Sequence, residues 1–158
     1  KALAQAFSLL PLSVTVVETR AEELQDLPQT VSSHLAAMPE ALVKTIPPGG
    51  SVVIVTHDHA LDFLIAREAL ARQDLAYVGM IGSQTKRATF AHWLSREGAP
   101  PSMIERLILP IGGSIVKDKR PQVIASLVAS EVLHAIHRFD EAAPAPFGHD
   151  HPASQDRA

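Results

Sequence analysis

Tyr77-Val78-Gly79-Met80-Ile81-Gly82-Ser83-Gln84-Thr85-Lys86-Arg87 runs from an apolar stretch through a glycine to a hydroxyl residue and two cations. The pattern reads as a buried strand, a glycine turn and a helix capped by Ser83, with Lys86 and Arg87 in its first turns. Backbone N–H groups at a helix N-terminus lack intrahelical acceptors and carry partial positive charge, so an anion is stabilised there. Upstream, Val52-Val53-Ile54-Val55-Thr56-His57-Asp58-His59 repeats the design: an apolar strand ends in a polar cluster that opens a helix. Two such strand ends predict a ligand crevice at one edge of a parallel sheet.

Outward from these segments, strands and helices alternate. Lys1 to Leu10 reads as a helix with Leu3, Ala6, Phe7 and Leu10 on one face, and Ser13 to Glu18 as a β-branched strand. Glu22 to Ala37 is the least legible part, with a short strand near Thr30 to Ser33. Pro39 opens a short helix to Ile46, and Pro47-Pro48-Gly49-Gly50 is a turn before the strand Ser51 to Val55. His59 to Gln73 reads as a helix with Leu61, Leu64, Ile65 and Ala69 on its inner face. Ala76 to Ile81 is the next strand, and Ser83 to Glu97 a helix stopped by Gly98. Ser102-Met103-Ile104-Glu105 has capping-box spacing, Leu107 to Ile111 is a last short strand, and Pro121 to Phe139 is the longest helix, with Ile124, Val128, Val132 and Ile136 recurring.

This alternation predicts an α/β, doubly wound, mostly parallel sheet over residues 1–139, followed by a flexible tail over 140–158 rich in Ala, Pro, His and Asp. A doubly wound sheet opens with a central strand and a glycine-rich turn. The chain opens inside a helix, so the expectation is a sheet without that first strand and turn, which would fall ahead of Lys1.

Bulk properties narrow the function. The 158 residues, 46% of them apolar, suffice for one domain with a core. A net charge of −3 with no dominant basic face excludes nucleic acid as the expected partner. The chain has no cysteine, which rules out disulfides and thiolate metal sites and fits a cytoplasmic protein. No run reaches bilayer-spanning length, and Pro11 and Ser13 interrupt the apolar start, which argues against a signal peptide.

Four stretches carry candidate chemistry. Gly82 and Ser83 with Lys86 and Arg87 read either as a phosphate site or as a capped helix with solvated cations. Thr56, His57 and Asp58 read as ligand contacts, with Asp58 as a simple helix cap the alternative; adjacent side chains diverge too much to converge on one metal ion. Glu18, at a strand end, reads as a ribose-hydroxyl contact or as an ordinary charged strand end, with Arg20 beside it meeting a phosphate instead as a further alternative. Pro110-Ile111-Gly112-Gly113 and the charged run after it read as a long solvated connection on composition alone, with a loop at the same sheet edge that closes over a ligand as the alternative. No hydrolase triad, P-loop or catalytic carboxylate pair is visible, so no catalytic residue is assigned.

Val-Thr-His-Asp-His-Ala-Leu-Asp (55–62), Tyr-Val-Gly-Met-Ile-Gly-Ser-Gln-Thr-Lys-Arg-Ala-Thr-Phe (77–90), Pro-Ile-Gly-Gly (110–113) and Lys-Arg-Pro-Gln-Val-Ile-Ala (119–125) follow in that order. Together, over about Lys1 to Ile136, they resemble the C-terminal domain of the xanthine dehydrogenase accessory proteins of the XdhC type. The resemblance implies a Rossmann-like fold and a role in molybdenum-cofactor maturation. Such proteins hold molybdopterin, meet a cysteine desulfurase that installs the sulfido ligand, and insert the cofactor into xanthine dehydrogenase. The family's glycine-rich turn and its cysteine-bearing N-terminal domain are not in this sequence, so cofactor contacts here would be to phosphate, pterin or nucleotide. On this reading Glu18, Thr56, His57, Asp58, Gly82, Ser83, Lys86 and Arg87 line the crevice, Lys86 and Arg87 meeting phosphate. Two alternatives stand beside it: an NAD(P)-dependent oxidoreductase with His57 or His59 as acid/base, and a docking module that binds no ligand. The oligomeric state, including a homo-oligomer, is left open.

Overall fold

The computed structural model describes residues 1–142. In chain order these form α1 (Ala2–Ser8), β1 (Val14–Glu18), a 3-10 turn (Ala21–Leu24), β2 (Val31–Leu35), a 3-10 helix (Pro39–Thr45), β3 (Ser51–Ile54), α2 (His59–Ala71), β4 (Tyr77–Met80), α3 (Gln84–Arg96), α4 (Ser102–Glu105) and α5 (Pro121–Ala142). The alternation is that of a Rossmann-like α/β domain.

The strands are parallel but fall into two pairs, β1–β2 and β3–β4. Val14 pairs with Val31 and Glu18 with Leu35; Ser51 pairs with Tyr77 and Ile54 with Met80. Among the described residues no ladder joins β1 to β3, as expected of a doubly wound sheet without its central strand. The strand expected over 107–111 shrinks to one bridge, Gly79 to Ile108, with Ile108 N–H donating to Val78 O and Met80 N–H to Ile108 O.

Period-two alternation divides each central strand between two helical layers. Val52, Ile54, Val78 and Met80 face the layer of α2 and α3, where Phe63, Ala66, Ala69, Leu70, Phe90 and Leu94 complete the larger core. Val53 and Tyr77 face the other layer, with Phe7 of α1 and Val128, Val132 and Ala135 of α5. Phe63, Phe90 and Trp93 form an aromatic cluster, with the Phe63 and Phe90 ring centroids 4.9 Å apart. Covering both faces is what permits parallel pairing of strands this apolar.

Several local expectations are revised. Leu64 is 40% exposed, and α2 instead buries Asp62, Phe63, Ile65, Ala66, Ala69 and Leu70. Of the residues expected to line α5, Val128 and Val132 are buried, whereas Ile124 and Ile136 pack at the margin. Ser102 lies inside α4; Pro101 holds the cap position and no side chain caps that helix. Helix α5 extends to Ala142, so residues 140–142 are helical and the boundary expected at 140 moves later. The rest of the expected tail lies outside the described residues. Among the described residues no helix is long and apolar enough to cross a membrane.

Candidate functional site: the crevice after strands β3 and β4

Both central strands release the chain at the same sheet edge, because Ile54 is in register with Met80 and Ile81 N–H still donates to Ile54 O. The corner after β3 is Val55-Thr56-His57-Asp58, and the corner after β4 is Ile81-Gly82-Ser83. They are tied together by a residue to which the sequence reading gave no role, Asp62. Its side chain is fully buried. Oδ1 accepts from Thr56 N–H at 3.2 Å and from Thr56 Oγ1 at 2.7 Å. Oδ2 accepts from Lys86 Nζ, which also donates to Ile81 O at 2.9 Å. Thr56 Oγ1 lies 2.9 Å from Asp58 O as well, but a hydroxyl has one proton, and the shorter contact to a charged acceptor takes it. The freed lone pairs accept from Asp58 N–H at 3.1 Å.

The two helix starts that flank the crevice differ. Asp58 caps α2: its Oδ1 accepts from Ala60 N–H at 2.8 Å and Leu61 N–H at 3.3 Å. A carboxylate thus already occupies the positive end of that helix. Ser83 caps α3 more lightly, its Oγ accepting from Lys86 N–H at 3.3 Å. The Gln84 and Thr85 N–H groups have no acceptor among the described residues, and no acidic residue lies in that first turn.

The cations expected to face an anion are turned inward. Lys86 is 9% exposed along its side chain and is neutralised by Asp62. Arg87 spans from α3 to the segment after it, Nη1 donating to Leu107 O at 2.7 Å and Nη2 to Ile104 O at 3.0 Å. A helix carries side chains at successive positions to different faces, and on this one both positions reach burial with acceptors waiting. The solvated-cation alternative is likewise not what the structure contains. Gly82 also has a packing reason: a Cβ there would lie 2.6 Å from Lys86 Cδ and 3.1 Å from Leu109 Cδ1. The lysine stem crossing toward Asp62 fills the room a side chain would need.

His57 and His59 are exposed beside the crevice. Glu18 closes β1 in the other strand pair. Its Oε1 accepts from Thr19 N–H at 2.8 Å, Thr19 Oγ1 at 3.2 Å and Arg20 N–H at 3.3 Å. Partial burial pushes its carboxyl up, but these bonds and the Arg20 charge together outweigh that and hold it below the ordinary carboxylate range. No hydrogen bond or ion pair among the described residues joins Glu18 to either corner. The 110–113 loop does leave from the crevice edge, Ile111 N–H donating to Met80 O at 3.3 Å. No cluster of three His, Asp or Glu side chains placed to hold a metal ion occurs among the described residues.

Asp62 had a signal in the sequence. It is the lone charge within Ala60-Leu61-Asp62-Phe63-Leu64-Ile65-Ala66, one turn after the cap Asp58. A charge inside a helical stretch that is otherwise apolar has to find a partner when the stretch is buried.

Two comparisons bear on what this arrangement belongs to. The chain is 31% identical over 139 residues to a protein of Escherichia coli (strain K12) named "Uncharacterized protein YqeB", an alignment covering 84% of this chain and 25% of that protein. The chain thus spans about a quarter of the length of the relative it matches. The model of the XdhC Rossmann domain matches residues 1–132, a span that contains both strand pairs, the Asp62–Lys86 link and both crevice corners. The chain belongs to the XdhC Rossmann domain family.

Proposed function

We propose that this domain serves the maturation of xanthine dehydrogenase, its crevice receiving the phosphate end of the molybdenum cofactor or of a nucleotide. One observation carries the reading: the first turn of α3 offers the Gln84 and Thr85 N–H groups at the mouth of the crevice, with no acidic residue among them. Oriented amides and the helix dipole bind a phosphate without a free cation. Lys86 then acts at second hand: its pairing with Asp62 holds the α3 start against the β3 corner.

The α2 corner suits a different part of the same ligand. Asp58 Oδ1 is spent on the helix cap, which leaves Oδ2 to accept from a hydroxyl or amino group. His57 is exposed beside it. Phosphate at the α3 start and hydrogen-bond donors at the α2 start give the ligand one direction in the crevice. The cofactor, when bound, brings the molybdenum centre that the target enzyme uses; the residues of this chain bind and orient it. On this proposal the partners are xanthine dehydrogenase and the cysteine desulfurase that acts on the cofactor beforehand.

The test is reconstitution with the full-length protein carrying Thr85→Glu. Thr85 is exposed in the first turn of α3, so the new carboxylate should leave the fold intact and, through the dipole, stabilise it by about 0.3–1 kcal/mol. It would also compete for the amides and repel phosphate. Reactivation of apo-xanthine dehydrogenase by supplied cofactor is expected to fall about tenfold or more, which corresponds to a loss of about 1.4 kcal/mol in binding. Wild-type reactivation by Thr85→Glu would overturn the proposal.

A further inference from the structure

At the opposite end of β4 from the crevice, a cavity of about 310 Å³ opens between the start of the strand and the C-terminal half of α5. Ala76, Tyr77 and Val78 border it on one side, Arg106 on a second, and Glu131, His134 and Arg138 on a third. With about 3.3 Å of rise per strand residue, the four residues of β4 put roughly 10 Å of strand between it and the crevice edge.

Its polar groups are unequally satisfied. Glu131 Oε2 accepts from Tyr77 O–H at 2.8 Å and from Gly112 N–H at 3.0 Å, so this carboxylate is already compensated by two donors. The two guanidinium groups are not. Arg106 Nη1 donates to Leu70 O at 2.9 Å, and Arg138 Nε donates to His134 O at 3.3 Å; among the described residues neither forms an ion pair with a carboxylate. By contrast Arg20, Arg67, Arg72 and Arg120 each have a carboxylate partner. A guanidinium group has five N–H donors, so each of these two retains several. Among the lining residues two guanidinium groups stand against the one carboxylate of Glu131, and Asp74, within electrostatic reach of Arg106, is already held by the Arg72 fork.

We propose that this cavity binds a small phosphoryl dianion on Arg106 and Arg138. Forked guanidinium groups arriving from two separate segments match the oxygens of a tetrahedral anion. The volume, at the low end for ligand sites, suits free phosphate or a small phosphomonoester rather than a whole nucleotide. Main-chain anchoring of each guanidinium lowers the entropy that binding would cost. Tyr77 and Glu131 form the polar floor, with the Glu131 charge directed into its own two hydrogen bonds.

The experiment is a titration of this chain with inorganic phosphate, and separately with glycerol 3-phosphate, followed by ¹H–¹⁵N spectra that include the arginine Nε–H signals. Chloride at equal ionic strength is the control. Saturable shifts are expected at Arg106 and Arg138, and Arg106→Gln/Arg138→Gln should weaken the affinity about tenfold or more. Tighter binding of one titrant identifies which source of the phosphoryl group the cavity prefers. Linear shifts matched by chloride, or saturable shifts at the Gln84 and Thr85 amides alone, would overturn the inference. The second outcome would leave the crevice proposal standing, so the two readings fail separately. Should the double variant not fold, the wild-type shifts and the single variant Arg138→Gln, at an exposed helix position, still decide the matter.

Discussion

Lys86→Met strips the cation from a carboxylate that has no route to water. Asp62 is 0% exposed and the Lys86 side chain 9% exposed, so the carboxylate is fully buried and its partner nearly so. Removing one member of a buried ion pair costs about 3–5 kcal/mol, because the charge that remains keeps its desolvation penalty and loses its compensation. A domain of this size has about 5–15 kcal/mol of stability in total, so the loss is a large fraction of it. Thr56 still gives Asp62 two hydrogen bonds, which keeps the cost inside that range rather than above it. Asp62→Asn should cost less, about 1–3 kcal/mol: the ammonium group keeps Ile81 O and sits on a flexible stem that can reach solvent. Asp62→Leu/Lys86→Met removes both charges and should recover much of the loss. The assay is urea unfolding followed by the fluorescence of Trp93, the single tryptophan, which packs against Phe63 and Phe90 in the α2–α3 core. In thermal unfolding the Lys86→Met loss corresponds to a fall of about 6–20 °C. A Lys86→Met protein within about 1 kcal/mol of wild type, or an Asp62→Leu/Lys86→Met variant whose loss is the sum of the Asp62→Leu and Lys86→Met singles, would refute the account of the pair as a buried, coupled link.

Three further outcomes follow from the same geometry. Gly82→Ala puts a methyl group 2.6 Å from Lys86 Cδ on a backbone at φ +157° and should cost about 1–3 kcal/mol; Lys86→Ala, which removes that atom but not the backbone strain, should relieve part of the penalty, measured as non-additivity in urea unfolding. Arg87→Lys loses the fork that spans Leu107 O and Ile104 O and should cost about 2 kcal/mol, with faster amide hydrogen exchange over residues 104–108. The Tyr77 hydroxyl, buried and donating to Glu131, is held well above the ordinary tyrosine range by burial first and by the carboxylate second. A raised native value stabilises the fold fully below the unfolded tyrosine value, near pH 10, and that contribution is lost as pH rises beyond it. Tyr77 is the single tyrosine, so tyrosinate absorbance should appear together with alkaline unfolding rather than before it, and Tyr77→Phe should flatten the fall of the urea midpoint above about pH 10.

The elements that carry the crevice were legible because their signals are local. An apolar run bounded by Pro47-Pro48-Gly49-Gly50 and Thr56-His57-Asp58 leaves little but a buried strand, and β3 lies there. Ser83 and Asp58 cap their helices because a short polar side chain ahead of a helix can reach its free N–H groups wherever the rest of the protein lies. The inner face of α2 was harder. Leucine at 64 and aspartate at 62 invite the opposite assignment from the one found, since hydrophobicity by itself sends Leu64 inward and Asp62 outward. A partner on another helix, Lys86, reverses the order.

The amino-acid sequence by itself determined the alternation of strands and helices, the parallel pairing, the two helix starts at one sheet edge and the family resemblance. Each of these depends on periodicity or on groups a few residues apart. The use of the cations was decided only by tertiary structure. Whether Lys86 meets solvent, a ligand or Asp62 depends on how α2 and α3 pack across β3 and β4, and burial there makes either charge costly to leave without the other. The same packing turned the expected phosphate cations into struts and left the Gln84 and Thr85 N–H groups at the α3 start without an acceptor among the described residues. It also brought Arg106 and Arg138, far apart along the chain, to the walls of one cavity.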